Sequence, residues 1–188
     1  MMQKLWQIKQ KLNYSKDVID IVQFGSSIIE ESIPKDIDLA VIFVPIPLKE
    51  QLNQAQKIKN QLQENTELPI HIKSFDLNSL FEASNFAKEN ILLYGISLIS
   101  KKPFAEKLGF HPKVQIEYSL KELKKKDKVR FNYLLNGKSG EYGLLRKYNG
   151  KLHRPGLIEI FPQSEQIFIQ SIKKITNNFN LKKILVAM

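Results

Sequence analysis

With 188 residues, 43% of them hydrophobic and 26% charged, the chain carries enough apolar material for one ordinary domain or two small ones sharing a core, which excludes a disordered polymer. It has no cysteine, which excludes disulfides and thiolate metal sites, and its histidines, His71, His111 and His153, lie about 40 residues apart with no zinc-ligand spacing. The formal net charge of +10 is one-sided: residues 1–100 hold 10 Lys against 12 Asp or Glu, −2, whereas residues 101–188 hold 19 Lys or Arg against 7 Asp or Glu, +12.

In chain order, residues 3–13 (QKLWQIKQKLN) place Leu5, Trp6, Ile8 and Leu12 at near-helical spacing and predict a short amphipathic helix. VIDIVQF reads as a strand ending at Gly25, and SSIIEES as the start of a short helix. A second strand, DIDLAVIFV, is closed by Pro45 and Pro47. Over residues 48–63, Leu48, Leu52, Ala55, Ile58 and Leu62 recur at spacings of three and four, predicting a helix with one buried stripe. PIHIKSF alternates as a third strand, and the run from Asp76 returns to helix until Gly95, a candidate C-cap before a strand-like ISLIS. This order predicts an α/β (α+β) domain over residues 1–105.

From Lys101 the character changes. Ser119 and Glu122 have capping-box spacing ahead of a Lys-rich helical pattern, and five of the eight glycines fall between 137 and 156, where they suggest turns between short strands. The tail from Gln163 reads as a helix and then a strand. Residues 106–188 are thus expected to form a smaller, basic α+β domain. The longest apolar runs, DLAVIFVPIPL and NILLYGISLI, are short of the roughly 20 residues of a membrane span, and MMQKLWQIKQKLN has no signal-peptide core, so no membrane partner and a cytoplasmic location are expected.

The run VQFGSSIIEESIPKDIDLAVIFVP, residues 22–45, carries the chemistry. Asp36 and Asp38, two apart on a strand, point to one face, where their repulsion calls for a cation; magnesium is a hard ion that takes carboxylate oxygens and keeps water for a phosphate. Gly25 lets the backbone approach phosphate oxygens, Ser26 offers a hydroxyl, and a helix starting there would aim N–H groups at an anion.

FGSS, with nine residues from Ser27 to Lys35, followed by DIDLAVI, resembles the Gly-Ser and Asp-x-Asp signature of the DNA polymerase beta-like nucleotidyltransferase superfamily, in its minimal-nucleotidyltransferase branch. The resemblance covers residues 15 to about 100 and implies a small mixed sheet flanked by helices. It implies that Gly25 and Ser26, with Ser27 beside them, cradle the nucleotide phosphates, and that Asp36 and Asp38 are catalytic and ligate two magnesium ions. The implied reaction is in-line attack of an acceptor hydroxyl on the α-phosphate of a nucleoside triphosphate, ATP first. Two departures stand out: Ser27 occupies the place of a common basic residue, and the following turn lacks its usual glycine. A third carboxylate, expected on a following strand, has Asp76 as its candidate, either a metal ligand or the N-cap of the next helix. His71 is either a ligand or base, or a hydrogen-bonded structural residue.

YSLKELKKKDKVRFNYLLNGKSGEYGLL resembles, more faintly, C-terminal extensions of archaeal-type nucleotidyltransferase-domain proteins. On chemistry alone, Lys124, Lys125, Lys126, Lys128 and Arg130 beside Phe131 and Tyr133 suit phosphate contacts with base stacking, and Arg146, Lys147, Tyr148, Lys151, His153 and Arg154 form a second cluster. The bland reading makes the aromatics core and the lysines a solvated face. The expected function is a magnesium-dependent nucleotidyltransferase acting on an RNA, such as a tRNA 3′ end, more than on duplex DNA, or on a protein side chain. The alternatives are a non-catalytic nucleic-acid-binding or assembly module and a nucleotide-sensing regulator.

Overall fold

The computed structural model describes residues 5–7 and 12–188, and the chain separates into two compact units, residues 1–110 and 111–188. The division falls beyond residue 105 because Phe104 and Ala105 are buried in the first unit's core. The helix expected over residues 3–13 lies largely outside the described residues; Leu5–Gln7 form a single 3-10 turn.

The first unit runs β1 (Val18–Phe24), β2 (Ile37–Phe43), α1 (Leu48–Gln63), β3 (Ile70–Asp76), α2 (Leu77–Phe81), α3 (Lys88–Tyr94), β4 (Ile96–Ser97) and α4 (Phe104–Lys107). Its sheet has the order β3-β2-β1-β4, with β1 antiparallel to β2 and β4, and β2 parallel to β3. Both faces are covered, so β1 and β2 read as continuous apolar runs. Ile21, Leu39, Val41 and Phe43 pack with Ala55, Ile58 and Leu62 of α1 on one side. Val22, Phe24, Ala40 and Ile42 pack with Leu80, Ile91 and Phe104 on the other.

Asp20, completely buried on this second side, is held by Ser97 Oγ, which donates to Oδ1 at 2.6 Å, and by Lys107 Nζ, 2.9 Å from Oδ2. Among the described residues Oδ2 has no hydrogen-bond partner beyond that ammonium. A buried carboxylate needs such partners, and here they tie β1, β4 and α4 together.

Several local expectations change. SSIIEES forms no α-helix: Gly25–Ile28 make one 3-10 turn, since this stretch offers no second turn of apolar residues to pack. The helix expected from Asp76 to Gly95 is two helices, because Asn85 donates to the carbonyls of Ser79 and Leu80 and accepts from Ala87 N–H, capping one and redirecting the chain into the next. The buried stripe of α1 is Gln51, Ala55, Ile58 and Leu62, while Leu48 and Leu52 are exposed. Gln51 turns inward to donate to the Ile46 carbonyl. The strand at ISLIS shortens to two residues.

The second unit runs β5 (Phe110–Tyr118), α5 (Lys125–Asn136), α6 (Leu144–Lys147), β6 (Lys151–Arg154), β7 (Leu157–Ile160), α7 (Glu165–Lys173) and β8 (Phe179–Ala187), with sheet order β6-β7-β5-β8. Phe131 and Leu135 of α5, Leu145 of α6, and Phe168 and Ile172 of α7 pack with Val114, Ile116, Ile158 and Ile160 of the sheet. The Ser119–Glu122 capping box does not form: a Leu120–Leu123 turn intervenes, and α5 starts behind Lys124 without a side-chain cap. The expected mixture of helices and strands is therefore present in both units. Among the described residues no helix is long and apolar enough to cross a membrane.

Candidate functional site

The β1–β2 register pairs Phe24 with Asp38, which delivers the Asp38 side chain to the end of β1 where the Gly25 turn begins. Gly25 has φ +75°, and a Cβ built on it would lie 2.3 Å from Asp38 Oδ2. Only glycine meets both conditions, so the Gly-Ser turn and the second aspartate of Asp-x-Asp form one packed unit. Ser26 is exposed beside it, and its carbonyl accepts from Ile29 N–H and Ser32 Oγ.

Ser27 does not belong to this surface. It is 3% exposed; its hydroxyl donates to the Phe24 carbonyl and accepts from Gln23 Nε2, which fastens the turn to β1. Its expected place among the phosphate-cradling residues is therefore corrected. The N-terminus of an α-helix expected behind the turn is likewise missing.

Asp36 precedes β2 and Asp38 lies within it, both half-buried and on the same side. Burial, and then the neighbouring Asp36 carboxylate, raises the Asp38 pKa above the ordinary carboxylate value; His71 and Lys73 pull it the other way. Parallel pairing sets His71 beside Asp38 and Lys73 beside Ala40, so both point to the aspartate face. His71 Nδ1 lies 3.5 Å from Asp36 Oδ2, an electrostatic contact longer than a good hydrogen bond. His71 is thus part of the carboxylate cluster, and Lys73 adds a cation on the same face.

Asp76 is corrected as a metal ligand. It pairs with Phe43, five residues beyond the Asp38–His71 pair and so about 17 Å along the strand. Its Oδ1 accepts from Ser79 N–H at 2.8 Å while its own N–H donates to Ser79 Oγ, a closed capping box. The Ser79 backbone bond, above all, holds its pKa below the ordinary value. Among the described residues no group of three or more His, Asp or Glu converges on a common metal position.

In the second unit Lys124 is the N-cap of α5, Lys125, Lys128 and Arg130 lie on it, Arg146 and Lys147 end α6, and Arg154 is in β6; all are exposed. The helix divides the linear cluster, because Arg130 points roughly 200° round from Lys128. Arg154 pairs with Glu117 at 3.2 Å across the sheet surface. Of the aromatics, Phe131 is core, whereas Tyr133 and Tyr142 are exposed, with Lys138 and Arg146 over their rings at 5.4 and 3.9 Å. These cation–aromatic pairs suit stacking on a base. Residues 111–188 hold 16 Lys or Arg against 6 Asp or Glu, +10, while residues 1–110 hold 13 of each and are neutral.

No family model matches the chain, and no curated protein matches it.

Proposed function

We propose that the chain is a nucleotidyltransferase of the DNA polymerase beta-like type, acting in a cytoplasmic setting, which moves a nucleoside monophosphate from a triphosphate, ATP first, to an acceptor hydroxyl on RNA. The observation that carries this reading is the close packing of the Asp38 carboxylate against Gly25, which joins the Gly-Ser turn to the carboxylate pair. The order β3-β2-β1-β4 with one parallel and two antiparallel pairings supports it.

The donor set is of hard oxygen type and suits a hard cation. Two half-exposed carboxylates, of which Asp38 resists ionisation through burial and then through its neighbour Asp36, would suit a single magnesium ion that keeps several waters for a substrate phosphate. The pair of ions expected at the outset lacks its third carboxylate among the described residues. Bound magnesium would neutralise triphosphate charge and favour in-line displacement at the α-phosphate.

The protein groups then have distinct tasks. Asp36 and Asp38 would hold the ion, and Gly25 and the Ser26 hydroxyl would meet phosphate oxygens. Lys73 draws in the triphosphate by its charge. His71, 3.5 Å from Asp36 by its Nδ1, stands beside the carboxylate pair as the candidate base for the acceptor hydroxyl. The new phosphorus–oxygen bond forms as the bond to pyrophosphate breaks.

The test is magnesium-dependent label transfer from each radiolabelled triphosphate into total RNA or protein. Wild type should transfer, and Asp36→Asn and Asp38→Asn should lose transfer by at least about 100-fold while melting cooperatively. Retained transfer in both variants contradicts the proposal.

A second reading is favoured by one observation: His71 and Lys73 occupy the face of β3 on which a third carboxylate is expected. In that reading the first unit is a non-catalytic scaffold and the basic second unit binds nucleic acid. RNA would then be retained without magnesium, and no triphosphate would be consumed.

A further inference from the structure

The second unit contains a cavity of about 540 Å³ between α5 and the β6–β7 hairpin; of the functional candidates read from the sequence, Lys128 and Phe131 line it. Its apolar wall is made by Leu120, Leu135 and Leu152 with the Tyr118 ring, which leans on Phe131 at 4.7 Å between centroids. Its size falls within the range of about 300–1,000 Å³ typical of small-ligand sites.

The rim has the opposite chemistry. Lys128, Asn132 and Asn136, spaced four apart, form one ridge of α5, and all three line the cavity. Asn136 Nδ2 donates to Asn132 Oδ1 at 2.7 Å, which fixes the two amides and leaves Asn132 Nδ2 as donor and Asn136 Oδ1 as acceptor. Lys128 Nζ donates to the Lys121 carbonyl at 3.3 Å, which holds its ammonium at the mouth, and Lys121 also lines the cavity.

An apolar slot, an adjacent donor and acceptor, and the Lys128 ammonium at the entrance match the three parts of a nucleotide: the base face, its hydrogen-bonding edge and its phosphate. We propose that this cavity takes one unstacked base of a single-stranded RNA, with Asn132 and Asn136 on the base edge and Lys121 and Lys128 on the flanking phosphates. A paired base in a duplex keeps its faces stacked and cannot enter, so the site selects single strands. The +10 charge of this unit draws the strand in, and the cavity fixes its register. The inference rests on the second unit as RNA-binding part of the proposed enzyme, and does not depend on catalysis.

The test is fluorescence anisotropy of the full chain with a labelled mixed-sequence RNA oligonucleotide, its abasic counterpart and its duplex, in magnesium-free buffer. The variants are Asn132→Ala/Asn136→Ala and Leu152→Trp, the latter filling the cavity from a side chain that is already 42% exposed. Each variant should weaken binding of the intact strand by about tenfold, the scale of one stacked and hydrogen-bonded base, while leaving abasic RNA affinity and the thermal midpoint unchanged. Wild type should prefer the intact single strand to the abasic strand and to the duplex. If RNA binds but both variants match wild type, or the abasic strand binds equally well, the cavity proposal is overturned and RNA binding by this unit stands. If wild type binds no RNA, both fall.

Discussion

Asp38 is a carboxylate that folding makes harder to ionise, and this sets a pH signature. Its native pKa stands above the unfolded value because of burial and of Asp36. The charged form therefore costs stability at every pH above the native pKa, and the cost fades as pH falls to the unfolded value, about 3.9. Asp38→Asn should thus raise the melting temperature at pH 7, with the gain vanishing below about pH 4 in a calorimetric series. A gain independent of pH contradicts the electrostatic origin. Asp76 behaves oppositely, as a cap: Asp76→Ala should lower stability by about 1 kcal/mol in urea unfolding, whereas Asp76→Asn, which can still accept from Ser79 N–H, should be nearly neutral. An equal loss of magnesium binding in both would restore it as a ligand. From sequence alone Asp76 had two readings, because a carboxylate at a strand-to-helix junction suits either; only the register with Phe43 places it at the far end of β3. Ser27 was misread for a similar reason, since a serine beside Gly-Ser shows no sign that its hydroxyl turns to Gln23 and the Phe24 carbonyl.

At the scale of elements, the turn at Gly25 packs on Asp38, and the junction at Asp20 ties β1 to β4 and α4. Gly25→Ala must place a methyl group on the Asp38 carboxylate at a positive φ and should cost about 1–3 kcal/mol, read as a lower urea midpoint at unchanged slope. An unchanged midpoint would mean that the turn is not packed as described. Lys107→Met strips the paired cation from buried Asp20 and should destabilise by about 3 kcal/mol, with much of the loss recovered in the Asp20→Asn/Lys107→Met pair. Additive losses would show that the ion pair is not coupled. The long elements were legible in their periodicity: β1 and β2 as apolar runs, β3 as alternation, α1 as a three-and-four repeat. The breaks were not. The end of α2 depends on the amide of Asn85 reaching back to Ser79 and Leu80, and the inward turn of Gln51 depends on the Ile46 carbonyl. Such side-chain-to-backbone bonds leave no periodic trace.

For the whole molecule, the division into a neutral first unit and a strongly basic second one was legible as a step in charge, while the surface those charges occupy was not, because α5 sends Lys128 and Arg130 to different sides. If the second unit holds RNA through phosphates, binding should weaken with salt. Arg146→Ala or Lys125→Ala should each flatten the slope of log affinity against log salt by about 0.7, the value for one phosphate contact on a single strand. An unchanged slope would remove that residue from the interface. The central claim is that the Gly25–Ser26 turn and the Asp36–Asp38 pair make a nucleotidyl-transfer site despite basic residues on β3. The measurement that bears on it most directly is pyrophosphate release from radiolabelled ATP, CTP, GTP and UTP, with magnesium and total RNA, for wild type and Asp38→Asn side by side. Release with label passing into RNA in wild type, and loss of both in Asp38→Asn, is the result the account predicts; no release from any triphosphate while RNA remains bound would contradict it.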